Sequence, residues 1–328
     1  MTDPGSGARR KIVLPGGSGQ VGTVLARWFH GEGHEVVVLG RSPGSAPWRT
    51  VAWDGVTQGD WSRELDGADT VINLAGRSVD CRYTLRNRRQ ILESRVLSTR
   101  AVGEAIAAAR RPPRVWLQAS TATIYAHTYG PPNDEATGTL GPGDPDDVLS
   151  GKKGFSVGVA KAWERELDGA DTPETRKVAL RSALILSPDA GGVFDVLLRL
   201  VRFGLGGKVG DGRQYVSWIH DRDFIRAVSW LMEREDISGP VNVAAPEPLP
   251  WTDFMQALRE AWGIRVGLPA SRWLLEIGTL VLRTESELVL KSRRVIPGRL
   301  QEEGFAFDFP RWPEASRELV KRWRAGVR

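Results

Sequence analysis

Gly16, Gly19 and Gly22 stand three residues apart in the stretch VLPGGSGQVG, after a short apolar run and before a segment of helical character. A strand-to-helix turn that receives a pyrophosphate needs that spacing. The first glycine allows the tight turn, the second lets backbone N–H groups approach the phosphates, and the third lets the helix pack closely on the strand. The positive end of the helix dipole then faces the anion. The loop residues Gly16, Gly17, Ser18, Gly19, Gln20, Val21 and Gly22 are therefore expected to hold a dinucleotide. About twenty residues on, an acid would bond a ribose 2′-hydroxyl. The chain there reads VVVLGRS and offers Arg41. An arginine suits a 2′-phosphate by charge and by its forked donors, so NADP is expected in preference to NAD.

Such a loop works only at the edge of a sheet. Through the first 190 residues β-branched runs (KIVLP, EVVVL, TVAW, TVINLAG, RVWLQAS, KVALRSALIL) alternate with helical patterns at 20–30, 84–109 and 152–167. That alternation predicts an α/β fold, a Rossmann-type doubly wound parallel sheet over residues 10–190. Residues 191–328 are expected to form a smaller C-terminal substrate lobe, interleaved with the first, with helices near 221–235, 251–262 and 313–324 and few strands. The Gly-, Pro- and Asp-rich stretch 126–151 shows neither period and is expected as a loop over the site.

Composition narrows the function classes. The 328 residues carry a net charge of +5, with 41% hydrophobic and 26% charged residues, as in ordinary soluble proteins. Basic residues are spread along the chain, so no nucleic-acid partner is expected. The single cysteine, Cys81, excludes an internal disulfide framework and fits a cytoplasmic setting. Four histidines without ligand spacing predict no metal site. The apolar stretch at 273–282 is interrupted by Glu276 and too short to span a bilayer, which needs about 20 residues. A small-molecule substrate and a monomer or homodimer are expected.

With NLAG at 73–76 and ASTATIY at 119–125, the chain resembles an extended short-chain dehydrogenase/reductase nearly end to end. Through GRQYVSWIHDRD at 212–223, VNVAAP at 241–246 and RVIPGRLQEEGF at 294–305 it is similar to the sugar-nucleotide-epimerase-like "epimerase family" branch, which carries its own C-terminal domain of unknown function. The resemblance implies that Asp54, closing VAWD, meets the adenine, and that Asn73, Leu74, Ala75, Gly76 and Ser120 line the cofactor. It further implies that Thr121 hydrogen-bonds the reacting oxygen.

The family's proton comes from a tyrosine whose pKa is lowered by a lysine one helical turn later. The four tyrosines here, 83, 125, 129 and 215, are followed four residues on by Asn87, Tyr129, Asn133 and Ile219. No such pair exists, and in GFSVGVAKAWERE the two positions fall on Phe155 and Val159. Lys161 has only Val157 upstream at that spacing. Tyr125 is the expected substitute donor, with water or the substrate itself as alternatives, and His127 and the Cys81-Arg82-Tyr83 run as other candidates. Relatives that grip a sugar diphosphate hold an arginine where this chain has Val216, with Arg213 nearby; this counts against a UDP-sugar. His220 is expected to be structural, and Lys291, Arg293, Arg294 and Arg299 to form a solvated basic face. The expected activity is NADP-dependent oxidation or reduction of a small carbonyl or alcohol, with Thr121 and Tyr125 as catalytic residues. The alternatives are an NADP(H)-binding regulator without turnover and a nucleotide-sugar epimerase.

Overall fold

The computed structural model describes residues 9–42, 44–150, 154–268 and 291–326. The apolar stretch 273–282 and the first residues of the helix expected from 152 lie outside the described residues. In chain order the strands are β1 (Lys11–Pro15), β2 (Glu35–Gly40), β3 (Arg49–Ala52), β4 (Thr70–Asn73), β5 (Val115–Thr121), β6 (Arg176–Ser182), β7 (Leu184–Leu186), β8 (Tyr215–Val216), β9 (Trp218–His220), β10 (Gly239–Val243) and β11 (Leu249–Pro250). The helices described are α1 (Gln20–Gly31), α2 (Leu85–Ala107), α3 (Phe155–Asp168), α4 (Val193–Arg202), α5 (Asp221–Glu233), α6 (Trp251–Trp262), α7 (Gly298–Glu302) and α8 (Trp312–Ala325).

Seven strands form one parallel sheet in the order β10-β6-β5-β4-β1-β2-β3. Period-2 alternation explains why both faces are covered: Ile12 and Leu14 of β1 and Val36 and Val38 of β2 pack with α1 and α5 through Leu25, Phe29, Phe224 and Leu231. Val13, Val37 and Leu39 face the other way, onto Val102 and Ile106 of α2. Strand order reverses between β4 and β1, which opens a crevice at their carboxyl ends where doubly wound sheets take ligands.

Two sequence expectations change. KVALRSALIL is two strands rather than one: β6 stays in the main sheet and β7 turns aside to pair with β9. The seventh strand, β10, comes from beyond residue 190, where few strands were expected. It pairs with β6 in the register Val241↔Leu180, and both residues are buried. β10 becomes the edge strand on that side of the sheet, and its apolar residues Val241 and Val243 are buried. The C-terminal helices pack on a second core in which Trp312 stacks on Phe254 (centroids 4.2 Å apart) and meets Trp218 edge-on. No described helix is long and apolar enough to cross a membrane.

Candidate dinucleotide site and active site

The glycines of the loop divide the work. Gly16 has φ +74°, and a Cβ there would stand 2.5 Å from Ala75 Cα. A Cβ at Gly22 would stand 2.4 Å from Gly17 Cα. These two close contacts are internal: one presses the loop against the segment after β4, the other seats α1 on the loop. At Gly19 the nearest atom to a Cβ would be Gly16 O, 3.8 Å away, so that side is open. Gly19 is the N-cap of α1 and no side chain caps the helix, which leaves first-turn N–H groups for an anion. Gln20 Nε2, packed against Gly192, is buried without a hydrogen-bond partner. These features fit a dinucleotide phosphate.

Ser18 lies beside the end of β2, since a Cβ at Gly40 would be 3.2 Å from its Oγ. Arg41, the next residue, is exposed and forms no hydrogen bond or ion pair among the described residues. Asp54 closes its own turn. Its carboxylate accepts from the Val56 and Thr57 amides and from Thr57 Oγ1, bonds that hold its pKa below the ordinary value.

At the end of β4, Asn73 is fully buried; its Nδ2 donates to Gln118 Oε1 (3.0 Å) and its Oδ1 accepts from Ala75 N (3.1 Å). Leu74 N donates to Pro15 O, and so the NLAG segment lies against the glycine loop. A Cβ at Gly76 would be 3.3 Å from the Arg95 guanidinium carbon.

At the end of β5, Thr121 is half-buried and its hydroxyl accepts from Thr123 N (3.2 Å), capping a single 3-10 turn. Ser120 points into α3, donating to Glu164 Oε1 at 2.6 Å. Glu164 is forked by Arg181 (Nε 2.9 Å, Nη2 2.7 Å), and Arg181 Nη1 reaches the Tyr125 hydroxyl at 2.9 Å. That hydroxyl donates to Asn242 Oδ1 (3.0 Å). Tyr125 is 2% exposed, and burial raises its pKa despite the Arg181 charge and the hydrogen bonds opposing the shift. A phenol so enclosed ties the segment after β5 to β6 and β10; the expectation of Tyr125 as proton donor is not what its geometry favours. Ser120 likewise spends its hydroxyl on α3.

Phe155 and Val159 are buried in an apolar cluster with Ile91 and Val148, against which Val79, Cys81 and Tyr83 pack. His127 is exposed, with Nδ1 accepting from Ser292 N (2.7 Å). Desolvation, then the Arg293 and Lys291 charges, lower its pKa. His220 is fully buried as the N-cap of α5: Nδ1 accepts from Arg222 N, and Nε2 pairs with Glu318. Arg299 donates to the Ser238 and Pro240 carbonyls and Arg294 lies over the Tyr215 ring, so these two cations are anchored on the protein. Among the described residues no group of His, Cys, Asp and Glu could hold a metal. Sequence reasoning missed Glu164, Arg181, Asn242 and Arg95. The one available signal was Arg181, a charge inside the apolar run KVALRSALIL.

The profile of the NAD dependent epimerase/dehydratase family matches residues 12–244, and that of a domain of unknown function, DUF1731, matches 270–319. The chain belongs to the NAD dependent epimerase/dehydratase family. The human epimerase family protein SDR39U1 is 28% identical over 315 residues, covering 94% of this chain and 99% of that protein. The crystal structure of human SDR39U1 with NADPH superposes with a TM-score of 0.81 at 26% identity, over 95% of this chain and 99% of that one. A nucleoside-diphosphate sugar epimerase from Corynebacterium glutamicum gives a TM-score of 0.73 at 27% identity, over 95% of this chain but 58% of that chain.

Phe155 and Val159, where the sequence led us to expect the family's tyrosine and lysine, are apolar and buried. Val216 is buried in the C-terminal core, and Arg213 projects from an exposed turn.

Proposed function

We propose that this chain binds NADP(H) and oxidises or reduces a small carbonyl or alcohol compound in the crevice between β1 and β4. The observation that carries the reading is the loop itself: protein fills the sides of Gly16 and Gly22, the side of Gly19 is open above an uncapped helix, and Arg41 stands unpaired beyond Ser18. Gly17, Ser18, Gln20 and Val21 would complete the phosphate cradle, Arg41 would pair with the 2′-phosphate, and Leu74 to Gly76 would line the far half. The human relative crystallised with NADPH supports the choice of cofactor. The nicotinamide, when bound, supplies or accepts a hydride. Thr121, half-exposed at the carboxyl end of β5, would donate a hydrogen bond to the substrate oxygen.

Titration calorimetry with NADPH and NADH, followed by an absorbance screen of aldehydes, ketones and quinones, tests this reading. Tight NADPH binding with turnover lost in Thr121→Ala supports it; no binding of either nucleotide overturns it. The sealed environment of Tyr125, Phe155 and Val159 favours one second reading, an NADP(H)-binding protein without turnover. Tight binding and a silent panel would select it.

A further inference from the structure

The amino end of the main sheet carries a cavity of about 550 Å³, bounded by the last turns of α1 and α5, by Arg10 just before β1, and by Phe305 in the segment matched by DUF1731. The crevice proposed for the dinucleotide opens at the carboxyl ends of the strands, the length of β1 away, about 15 Å. The cavity therefore lies outside the site described above.

Most of its lining groups already have partners. Arg10 forks Glu233, with Nη2 2.8 Å from Oε2 and Nη1 on Oε1. Arg226 is held by Asp308 (2.7 Å) and Asp223 (3.3 Å), and its guanidinium lies over the Phe305 ring. Trp230 meets Phe305 edge-on and carries Arg234 over its ring at 4.6 Å. Phe29 packs against His34, whose Nδ1 accepts from Arg10 N.

Two lining groups stand apart from these pairs. Trp28 is 43% exposed and has no ring or guanidinium against its indole among the described residues, and the Glu32 carboxylate has no ion pair or hydrogen bond among them. Glu32 N donates to Trp28 O (3.0 Å), so the carboxylate stands one turn beyond the indole at the end of α1. An indole face attracts a cation through its quadrupole, and the carboxylate attracts one by charge. The negative ends of the α1 and α5 dipoles act in the same sense. Arg10 and Arg226 oppose it little, because each is neutralised by the carboxylates it holds.

We propose that this cavity is a second small-molecule site, which takes an organic cation, an amine or quaternary ammonium on an apolar body. The charge sits at Glu32 and the body lies against Trp28 and Trp230. A cavity of this size suits a small organic molecule, and the site does not depend on the NADP(H) reading.

Indole signals make the test direct. Protein labelled with 15N at its thirteen tryptophan indoles is titrated with phenethylammonium, and Trp28→Phe and Trp230→Phe assign the two signals of the cavity. Both are expected to shift saturably at millimolar amine, while that of Trp116, buried in the main sheet, stays in place. Phenylethanol replaces the ammonium by a hydroxyl and phenylacetate reverses the charge. The amine should bind about 5-fold or more tighter than the alcohol, and the acid most weakly. Glu32→Gln should remove most of the difference between amine and alcohol, and Trp28→Leu should weaken the amine about 3-fold or more. The proposal is overturned by the absence of a saturable Trp28 shift, by equal affinity for amine and alcohol, by tighter binding of phenylacetate, or by an amine affinity unchanged in Glu32→Gln. Competition between the amine and NADPH would place the amine in the crevice and overturn the second site, whereas a protein that binds the amine and no nucleotide loses only the cofactor reading.

Discussion

His220 Nε2 and Glu318 Oε2 are 2.8 Å apart around a fully buried imidazole, fastening the start of α5 to α8. Arg322 bonds both Glu318 and Asp221, and Arg222 reaches Glu318, so one ionic knot joins the segment matched by the family profile to the segment matched by DUF1731. Burial by itself would raise the Glu318 pKa; the His220 hydrogen bond and the charges of Arg322 and Arg222 outweigh it and hold the carboxyl below its usual range. A carboxylate lowered in the folded state contributes stability above its unfolded pKa of about 4.3 and loses it as pH falls through the folded value. Glu318→Gln should therefore cost about 1–3 kcal/mol at pH 7, and the cost should shrink at acid pH. Urea unfolding at pH 7 and in the acid range measures it; a difference that ignores pH would refute the linkage.

Arg41 lies just past β2, where Gly40 meets Ser18. Arg41→Ala should weaken NADPH by about 1–3 kcal/mol, as expected for a charge-assisted pair, and leave NADH nearly unchanged. Equal losses for both nucleotides would show that the side chain does not read the 2′-phosphate.

Gly22→Ala and Gly19→Ala should separate folding from binding. The first forces a methyl to within 2.4 Å of Gly17 backbone and should lower the melting temperature by several degrees. The second meets open space, so the melting temperature should hold while NADPH affinity falls. Thermal melts with and without NADPH give both readings. A Gly19→Ala protein with full affinity would mean that the open face is not the cradle.

UDP-glucose should not stabilise the NADP-saturated protein, because Val216 is part of the C-terminal core and has no group for a diphosphate. Ligands that bind only the native state raise its melting temperature. A rise of several degrees at modest UDP-glucose concentration would restore the sugar-nucleotide epimerase reading, with Arg213 as the first residue to examine.

The fold was legible because its signals are local. Ile12, Val13 and Leu14 alternate between two buried faces, the helix at 251–262 lies where the sequence pattern put it, and the spacing of Gly16, Gly19 and Gly22 states its own backbone demand. The absence of a tyrosine-lysine pair was equally plain, since i and i+4 on one helix are fixed by the helix itself. What only the tertiary structure decided is which polar groups meet. Tyr125 looked available from its place after β5, but Asn242, 117 residues away, and Arg181, 56 residues away, enclose its hydroxyl. β10 became the seventh strand because β6 offered an edge, and Arg95 came to lie under Gly76 because α2 packs across the sheet. Such contacts depend on how distant segments pack, and the periodicity of one segment carries no record of what the others bring to it.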